Sequence, residues 1–177
     1  KRKSIITSKV EHPSVLNPCR QLENQGIEVF YLGVDRYGRI DINELESKIT
    51  ESTALISLQH ANSETGVLQD IKRVSDIARR KSILFHTDAV NAAGKIHIDL
   101  SAGNIDFLSI SGHKFHAPKG IGALYVRKGA PYKPLLIGGG QEEGKRAGTE
   151  AVAQIVALGK AAVLATERLN DQGQEKL

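Results

Sequence analysis

Asp88 and Lys114 are the two residues whose types and placement speak most directly of chemistry. Each stands just past a short apolar run, Ile83–Phe85 for the acid and Phe107–Ile110 for the amine, and a third run, Ile121–Val126, follows. Small and turn-forming residues cluster where the runs end: Asp88 leads into Ala89-Val90-Asn91, and Ser111-Gly112-His113 leads into Lys114. Ligands of open α/β sheets sit beyond the carboxyl ends of the strands, so an acid and an amine at neighbouring strand ends would face one ligand. That pair suits a cofactor with a basic ring nitrogen and an aldehyde. Pyridoxal 5'-phosphate (PLP) is such a cofactor: a lysine holds it as a Schiff base, and a carboxylate keeps its ring nitrogen protonated. Lying between Gly112-His113 and Phe115, Lys114 is expected to be withdrawn from bulk water, which makes an amine a more competent nucleophile.

Other residues are read beside that pair. His12 follows the β-branched run Ser4–Val10 and precedes Pro13, so it too projects from a strand end. Its ring either caps the helix that follows or lies on a flat cofactor. His86 and Asp88 are two residues apart and share one side of a strand, which makes at best a weak metal pair. His60, His97 and His116 have no partner at metal-ligand spacing, and with one cysteine no metal site is expected. Gly138-Gly139-Gly140, Gly144 and Gly148-Thr149 share one loop, which either cradles a phosphate with its backbone N–H groups or is a plain connection. It is not a P-loop, because Lys145 is followed by arginine. Cys19 falls on the apolar face of a helix and reads as core.

The elements that must position these residues alternate in type. Strands are expected at Ser4–Val10, Ile27–Leu32, Thr53–Leu58 and Ile83–His86. Between them, Val15, Leu16, Cys19 and Leu22 recur at helical spacing, as do Ile42, Leu45 and Ile49 in a helix from about Asn43 to Ile49. Asp70 is placed to cap a helix buried through Ile71, Val74, Ile77 and Ala78. A long loop follows Val126, and one helix spans Ala151 to about Asn170. This alternation predicts an α/β fold with a mainly parallel sheet covered on both faces.

The 177 residues suffice for one domain with a proper core. A hydrophobic share of 40% and a charged share of 25% are those of a soluble globular chain. The net charge of +4 is spread over the sequence and the aromatic share is 5%, which argues against nucleic acid as a partner. No apolar run reaches membrane-spanning length, and no signal peptide is visible. A single cysteine excludes an intramolecular disulfide and fits a reducing compartment, so the expected location is cytoplasmic. With no methionine and a polar helical tail, the sequence reads as a piece of a longer protein.

Several motifs occur in order: Glu11-His12; His60-Ala61-Asn62-Ser63-Glu64-Thr65-Gly66; His86-Thr87-Asp88-Ala89; Ser111-Gly112-His113-Lys114 with Pro118 to Val126; and Gly138-Gly139-Gly140 with Arg146-Ala147-Gly148-Thr149. Together they resemble the cysteine desulfurases, of the class V aminotransferase group of fold-type I PLP enzymes, from about Ser4 to Leu164. The resemblance implies a three-layer PLP-dependent transferase large domain, incomplete over residues 1–177. The upstream phosphate-binding loop would be absent, and so would the C-terminal small domain with its substrate-carboxylate arginine and catalytic cysteine loop.

It further implies that Lys114 carries PLP and shuttles a proton at the substrate α-carbon, and that Asp88 pairs with the pyridine nitrogen. His12 would stack on one ring face and Val90 pack on the other. Ser111 and His113 correspond to phosphate contacts, and Thr149 to a phosphate contact given to the neighbouring subunit, hence a homodimer. The family converts L-cysteine to L-alanine and passes sulfur as a persulfide to acceptor or scaffold proteins, as in iron–sulfur cluster assembly. Ser63 stands where the family pattern has a second asparagine that contacts cofactor or substrate. Asn91 stands where it has a glutamine bonding the cofactor's phenolic oxygen. Cys19 does not match the catalytic position. Two other readings stay open on the residues: a non-catalytic domain of the same fold, and a related selenocysteine lyase or class V aminotransferase.

Overall fold

A computed structural model describes residues 2–101 and 104–174. Six strands form one sheet in the order β2-β1-β3-β4-β5-β6: β1 (Ser4–Ser8), β2 (Glu28–Leu32), β3 (Thr53–Gln59), β4 (Leu84–Asp88), β5 (Phe107–Ser111) and β6 (Gly122–Val126). The pairs from β2 through β5 are parallel, and β6 runs antiparallel to β5. The mainly parallel α/β architecture expected from the alternation is the one observed.

Four helices flank the sheet: α1 (Pro13–Glu23), α2 (Ile42–Lys48), α3 (Ile71–Arg80) and α4 (Val152–Gln174). Crossovers from β1 to β2 and from β2 to β3 step in opposite directions, and right-handed connections then place their helices on opposite faces. Accordingly α1 meets the face bearing Tyr31, whose hydroxyl donates to Glu23 Oε2 at 2.9 Å. Leu45 of α2 and Ile71, Val74, Ile77 and Ala78 of α3 close over Ile6, Ile56, Leu58 and Phe85 on the other, forming the main core. Removing such side chains from water is what drives the layers together.

Asp70 caps α3 as the spacing predicts, its Oδ1 accepting from Arg73 N at 3.0 Å. Helix α2 starts one residue earlier than expected, because Asp41 caps it through Asn43 N at 2.8 Å. Ile49 then leaves it with extended backbone angles. Strand β1 stops at Ser8 rather than Val10, since the Val10 carbonyl is taken by the side chains of Gln59 at 2.8 Å and Asn62 at 3.1 Å.

Strand β4 differs from its expected span at both ends. Ile83 N donates to Ala78 O at 2.9 Å and so still belongs to the exit of α3. At the other end pairing with Gln59 and Ser109 carries the strand through Asp88. Asp88 is therefore the last residue of a strand, not the first of a loop. The same holds for Ser111 on β5.

Candidate cofactor site

The parallel strands β1, β3, β4 and β5 all end along one edge of the sheet, and the chemistry-bearing residues gather there. Gln59, Asp88 and Ser109 lie side by side in register, and β5 runs two residues further to Ser111. The Asp88 backbone is pinned on both sides: its carbonyl accepts from His60 N at 2.8 Å, and Ala89 N donates to Ser109 O at 3.0 Å. The side chain is 8% exposed. Its Oδ1 accepts from Val90 N at 2.9 Å, which turns the chain, and its other oxygen takes no hydrogen bond among the described residues. Val90 and Asn91 follow within that turn, both half-buried.

Lys114 sits in a 3₁₀ turn, Gly112–Phe115, that leaves β5 directly. The turn is braced at both ends: Gly112 N donates to Ile121 O at 2.9 Å, and Ala117 N donates to Gly112 O at 3.0 Å. Beneath it Phe115 is buried against Ala161 and Ala165 of α4. Two glycines make the approach possible. A Cβ on Gly94 would fall 2.7 Å from Phe115 Cβ, and one on Gly112 would fall 2.9 Å from Ala117 Cβ and from Leu158 Cδ1. Lys114 itself is half-buried, as its setting leads one to expect, and its amine has no hydrogen-bond or ion-pair partner among the described residues. A free amine on a rigid turn is what a reactive lysine needs.

Beside this turn lies an open pocket of about 450 Å³, lined by Ser111, His113, Lys119, Gly120, Ile121 and Gly122. Ser111 Oγ and His113 Nδ1 are 2.8 Å apart at its mouth. Hydroxyl, imidazole, amine and glycine backbone form a donor set suited to an anion such as a phosphate. Neither Asp88 nor Lys114 lines that pocket. The anion donors thus straddle the lysine turn, with His113 inside it and Ser111 just before it, while the Lys114 side chain lies outside the pocket.

His12 is the N-cap of α1, its Nδ1 accepting from Ser14 N at 3.2 Å. The edge of the exposed ring is committed to the cap, which leaves its face open. Ser63 is exposed and its hydroxyl donates to Glu64 Oε1 at 3.1 Å. Asn62 shapes that loop, with Oδ1 accepting from Glu64 N at 2.8 Å and Thr65 N at 2.9 Å. Thr149 stands apart, exposed in the loop before α4, with no hydrogen bond to the strand-end residues of its own chain among those described. In that loop Gly148 N is already bonded to Gln141 Oε1 at 3.1 Å, and a Cβ on Gly139 would meet the same side chain at 2.6 Å. Within one chain, the glycine loop is closed on Gln141.

Two polar groups in this region, His86 and Glu11, have surroundings that the sequence did not reveal. Strand register places Ser57, His86 and Asp88 on one face, and His86 bridges Ser57 Oγ at 2.8 Å to Ser109 Oγ at 2.9 Å. Both ring nitrogens are occupied, so His86 is not a free metal ligand. Burial holds its pKa below the ordinary histidine value, partly offset by the nearby Asp88 charge. Glu11 is 4% exposed at the exit of β1. Its Oε1 accepts from Ser8 Oγ at 2.6 Å and from Gln59 N at 3.1 Å, while Oε2 is buried without a partner. Burial pushes its pKa up to about 7; the Ser8 and Gln59 bonds pull the other way, and the Asp88 charge adds to the rise. The signal for Glu11 was a carboxyl flanked by buried strand and helix, three residues after a serine that can reach it. For His86 it was a serine level with it on β3, Ser57, and another two residues further along β5, Ser109.

The class-V aminotransferase family model matches residues 1–176 of this chain. Cysteine desulfurase 2 of Trichormus variabilis is 52% identical over 175 residues, covering 99% of this chain and 44% of that protein. Cysteine desulfurase IscS of Methanosarcina thermophila is 52% identical over 177 residues, covering all 100% of this chain and 44% of its own length. Among solved structures, a NifS-like protein superposes with a TM-score of 0.93 at 42% identity, over 97% of this chain and 47% of that one. A structure of SspA in complex with cysteine superposes with a TM-score of 0.88 at 45% identity, over 91% of this chain and 47% of that one. The chain thus spans less than half the length of these relatives. With the family model matching residues 1–176 and relatives about half identical over nearly all of its length, the chain belongs to the class-V aminotransferase family.

Proposed function

We propose that this chain is the cofactor-binding core of a PLP-dependent cysteine desulfurase, which releases L-alanine from L-cysteine and hands on the sulfur. One observation carries the reading: an acid and an unpaired amine end adjacent parallel strands, Asp88 on β4 and Lys114 in the turn after β5. The donor set fits the cofactor. Asp88 keeps one carboxylate oxygen free for a ring nitrogen, Lys114 offers a free amine, and Ser111 and His113 offer donors to a phosphate. When bound, PLP supplies an electron sink for the bonds at the substrate α-carbon.

The chain's own residues then do the rest. Asp88 holds a proton at the ring nitrogen. The Lys114 amine would hold the cofactor and carry a proton at the substrate α-carbon. The face of His12, its edge fixed by Ser14, orients the ring from one side, with Val90 on the other. Ser63 and Asn91 reach the cofactor with shorter side chains than the family pattern has. Thr149, projecting from its own chain, contributes to a neighbouring subunit's phosphate site in a homodimer.

Cys19 is not the sulfur carrier in this reading. It is buried on α1, and burial raises its thiol pKa, so little thiolate is available. The persulfide forms on a cysteine outside this sequence and passes to an acceptor or scaffold protein, as iron–sulfur assembly requires, in the reducing cytoplasm. Adding PLP to the 177-residue chain tests the reading. A visible absorbance band should develop and should vanish in Lys114→Ala. A band that persists in that variant removes Lys114 from its role.

A further inference from the structure

Glu11 has a place in the fold that its sequence neighbours do not explain. It is 4% exposed, and one oxygen ties the β1 exit to the last residue of β3 through Gln59 N at 3.1 Å. The other oxygen is buried and unpaired. The titratable groups facing it are Asp88 from β4 and Cys19 from α1, and no cation pairs with it among the described residues. A buried carboxylate without a counter-ion is far costlier than a buried hydroxyl lacking one hydrogen bond, so the neutral acid is the form this setting selects. The direction of its pKa agrees.

We propose that Glu11 is a positioning residue that works as a neutral acid: one oxygen stitches the strand ends together, and the other stays uncharged so that Asp88 is the sole anion at this edge of the cofactor site. Two carboxylates so close would otherwise compete, each disfavouring the charge of the other. A neutral Glu11 adds no second negative charge beside the Asp88 carboxylate, the group placed to face a protonated pyridine ring. The stitch also fixes the exit of β1, one residue before His12. The purpose of the device rests on the PLP reading, but its direct test does not.

The side-chain carboxyl carbon of Glu11, assigned by its loss in Glu11→Gln, can be followed by ¹³C NMR from pH 4 to 9 in the ligand-free chain. The expected midpoint lies near 7 and moves down in Asp88→Asn. A midpoint in the ordinary carboxylate range, or one indifferent to residue 88, overturns the proposal. In a second measurement PLP is titrated at pH 6, below the expected midpoint, into the wild-type chain and into Glu11→Gln, a permanently neutral isostere. The variant is expected to develop at least the wild-type visible band. A band present in wild type and lost in the variant shows that the anion is required, and the proposal fails. Absence of a band in both refutes the PLP reading alone, and the NMR midpoint still decides whether Glu11 is a neutral acid.

Discussion

Asp106 and Arg127 grip each other across the antiparallel end of the sheet, with Arg127 Nε donating to Asp106 Oδ1 at 2.8 Å. The same carboxylate reaches the next strand, its Oδ2 accepting from Phe85 N at 2.8 Å. One acid, 6% exposed, thus ties β4, β5 and β6 at the end of the sheet opposite the site. Removing one partner of a buried pair leaves the other charge uncompensated. Asp106→Ala should cost on the order of 3 kcal/mol in urea unfolding. Arg127→Ala should cost at least as much, because it strands the Asp106 carboxylate, whose side chain is 9% exposed, whereas the half-exposed guanidinium left by Asp106→Ala can be solvated. Equal and small losses would show that the pair is not structural.

Gly94 is where the turn carrying Lys114 is most vulnerable from a distance. Its φ of +73° disfavours any side chain, and an added Cβ would meet Phe115 at 2.7 Å. Gly94→Ala should destabilise by about 2–4 kcal/mol, combining backbone strain with overpacking. Gly120→Ala is the control. Its φ of +89° is also left-handed, but the space around it is open. It should cost only the backbone penalty of roughly 1–2 kcal/mol. Matching melting temperatures for the two variants would refute the packing account of the Lys114 turn.

In the proposed function Ser63 and Asn91 contact the cofactor with side chains shorter than the resemblance implies, and Ser63 Oγ is already bonded to Glu64. Ser63→Asn and Asn91→Gln should each tighten PLP binding by about 1 kcal/mol, roughly fivefold, through one recovered hydrogen bond. Spectral titration reads this directly. Unchanged or weaker binding would remove both positions from the cofactor's contacts.

Stability should depend on pH through Glu11 with a definite sign. Its folded-state pKa, near 7, lies above the ordinary value of 4.5, so the folded chain holds that proton more tightly than the unfolded one. The contribution is full below about pH 4.5 and is lost as pH climbs through 7, amounting to roughly 3 kcal/mol. Burial lowers the pKa of His60 and His86, and these act oppositely, favouring the fold as pH rises through their range. Subtracting the denaturation profile of Glu11→Gln from that of the wild type isolates the glutamate. A flat difference between pH 4.5 and 8 would contradict the burial argument.

Much of this protein is written in local pattern. The alternation of β-branched runs with amphipathic segments, the cap at Asp70, and the turn residues after β4 and β5 depend only on neighbours a few positions away. They were enough to name an α/β sheet and to bring Asp88 and Lys114 to one edge of it. The family motifs are local too, each a short run whose spacing survives without coordinates. Strand ends were less legible. Asp88 and Ser111 belong to strands because of partners on β3 and β6 that lie far along the sequence.

What only the tertiary structure decided is which polar groups are buried together. Glu11 is only one half of a Glu11-His12 motif until Gln59 and Asp88, remote in sequence, close around it. His86 reads as a stray metal ligand until serines from two other strands take both its nitrogens. Gly94 is an ordinary turn glycine until α4 and Phe115 press against it. Burial and charge are properties of position in space, and a carboxyl changes its chemistry when water leaves it. That change belongs to the assembled sheet, because water is excluded only where distant segments meet.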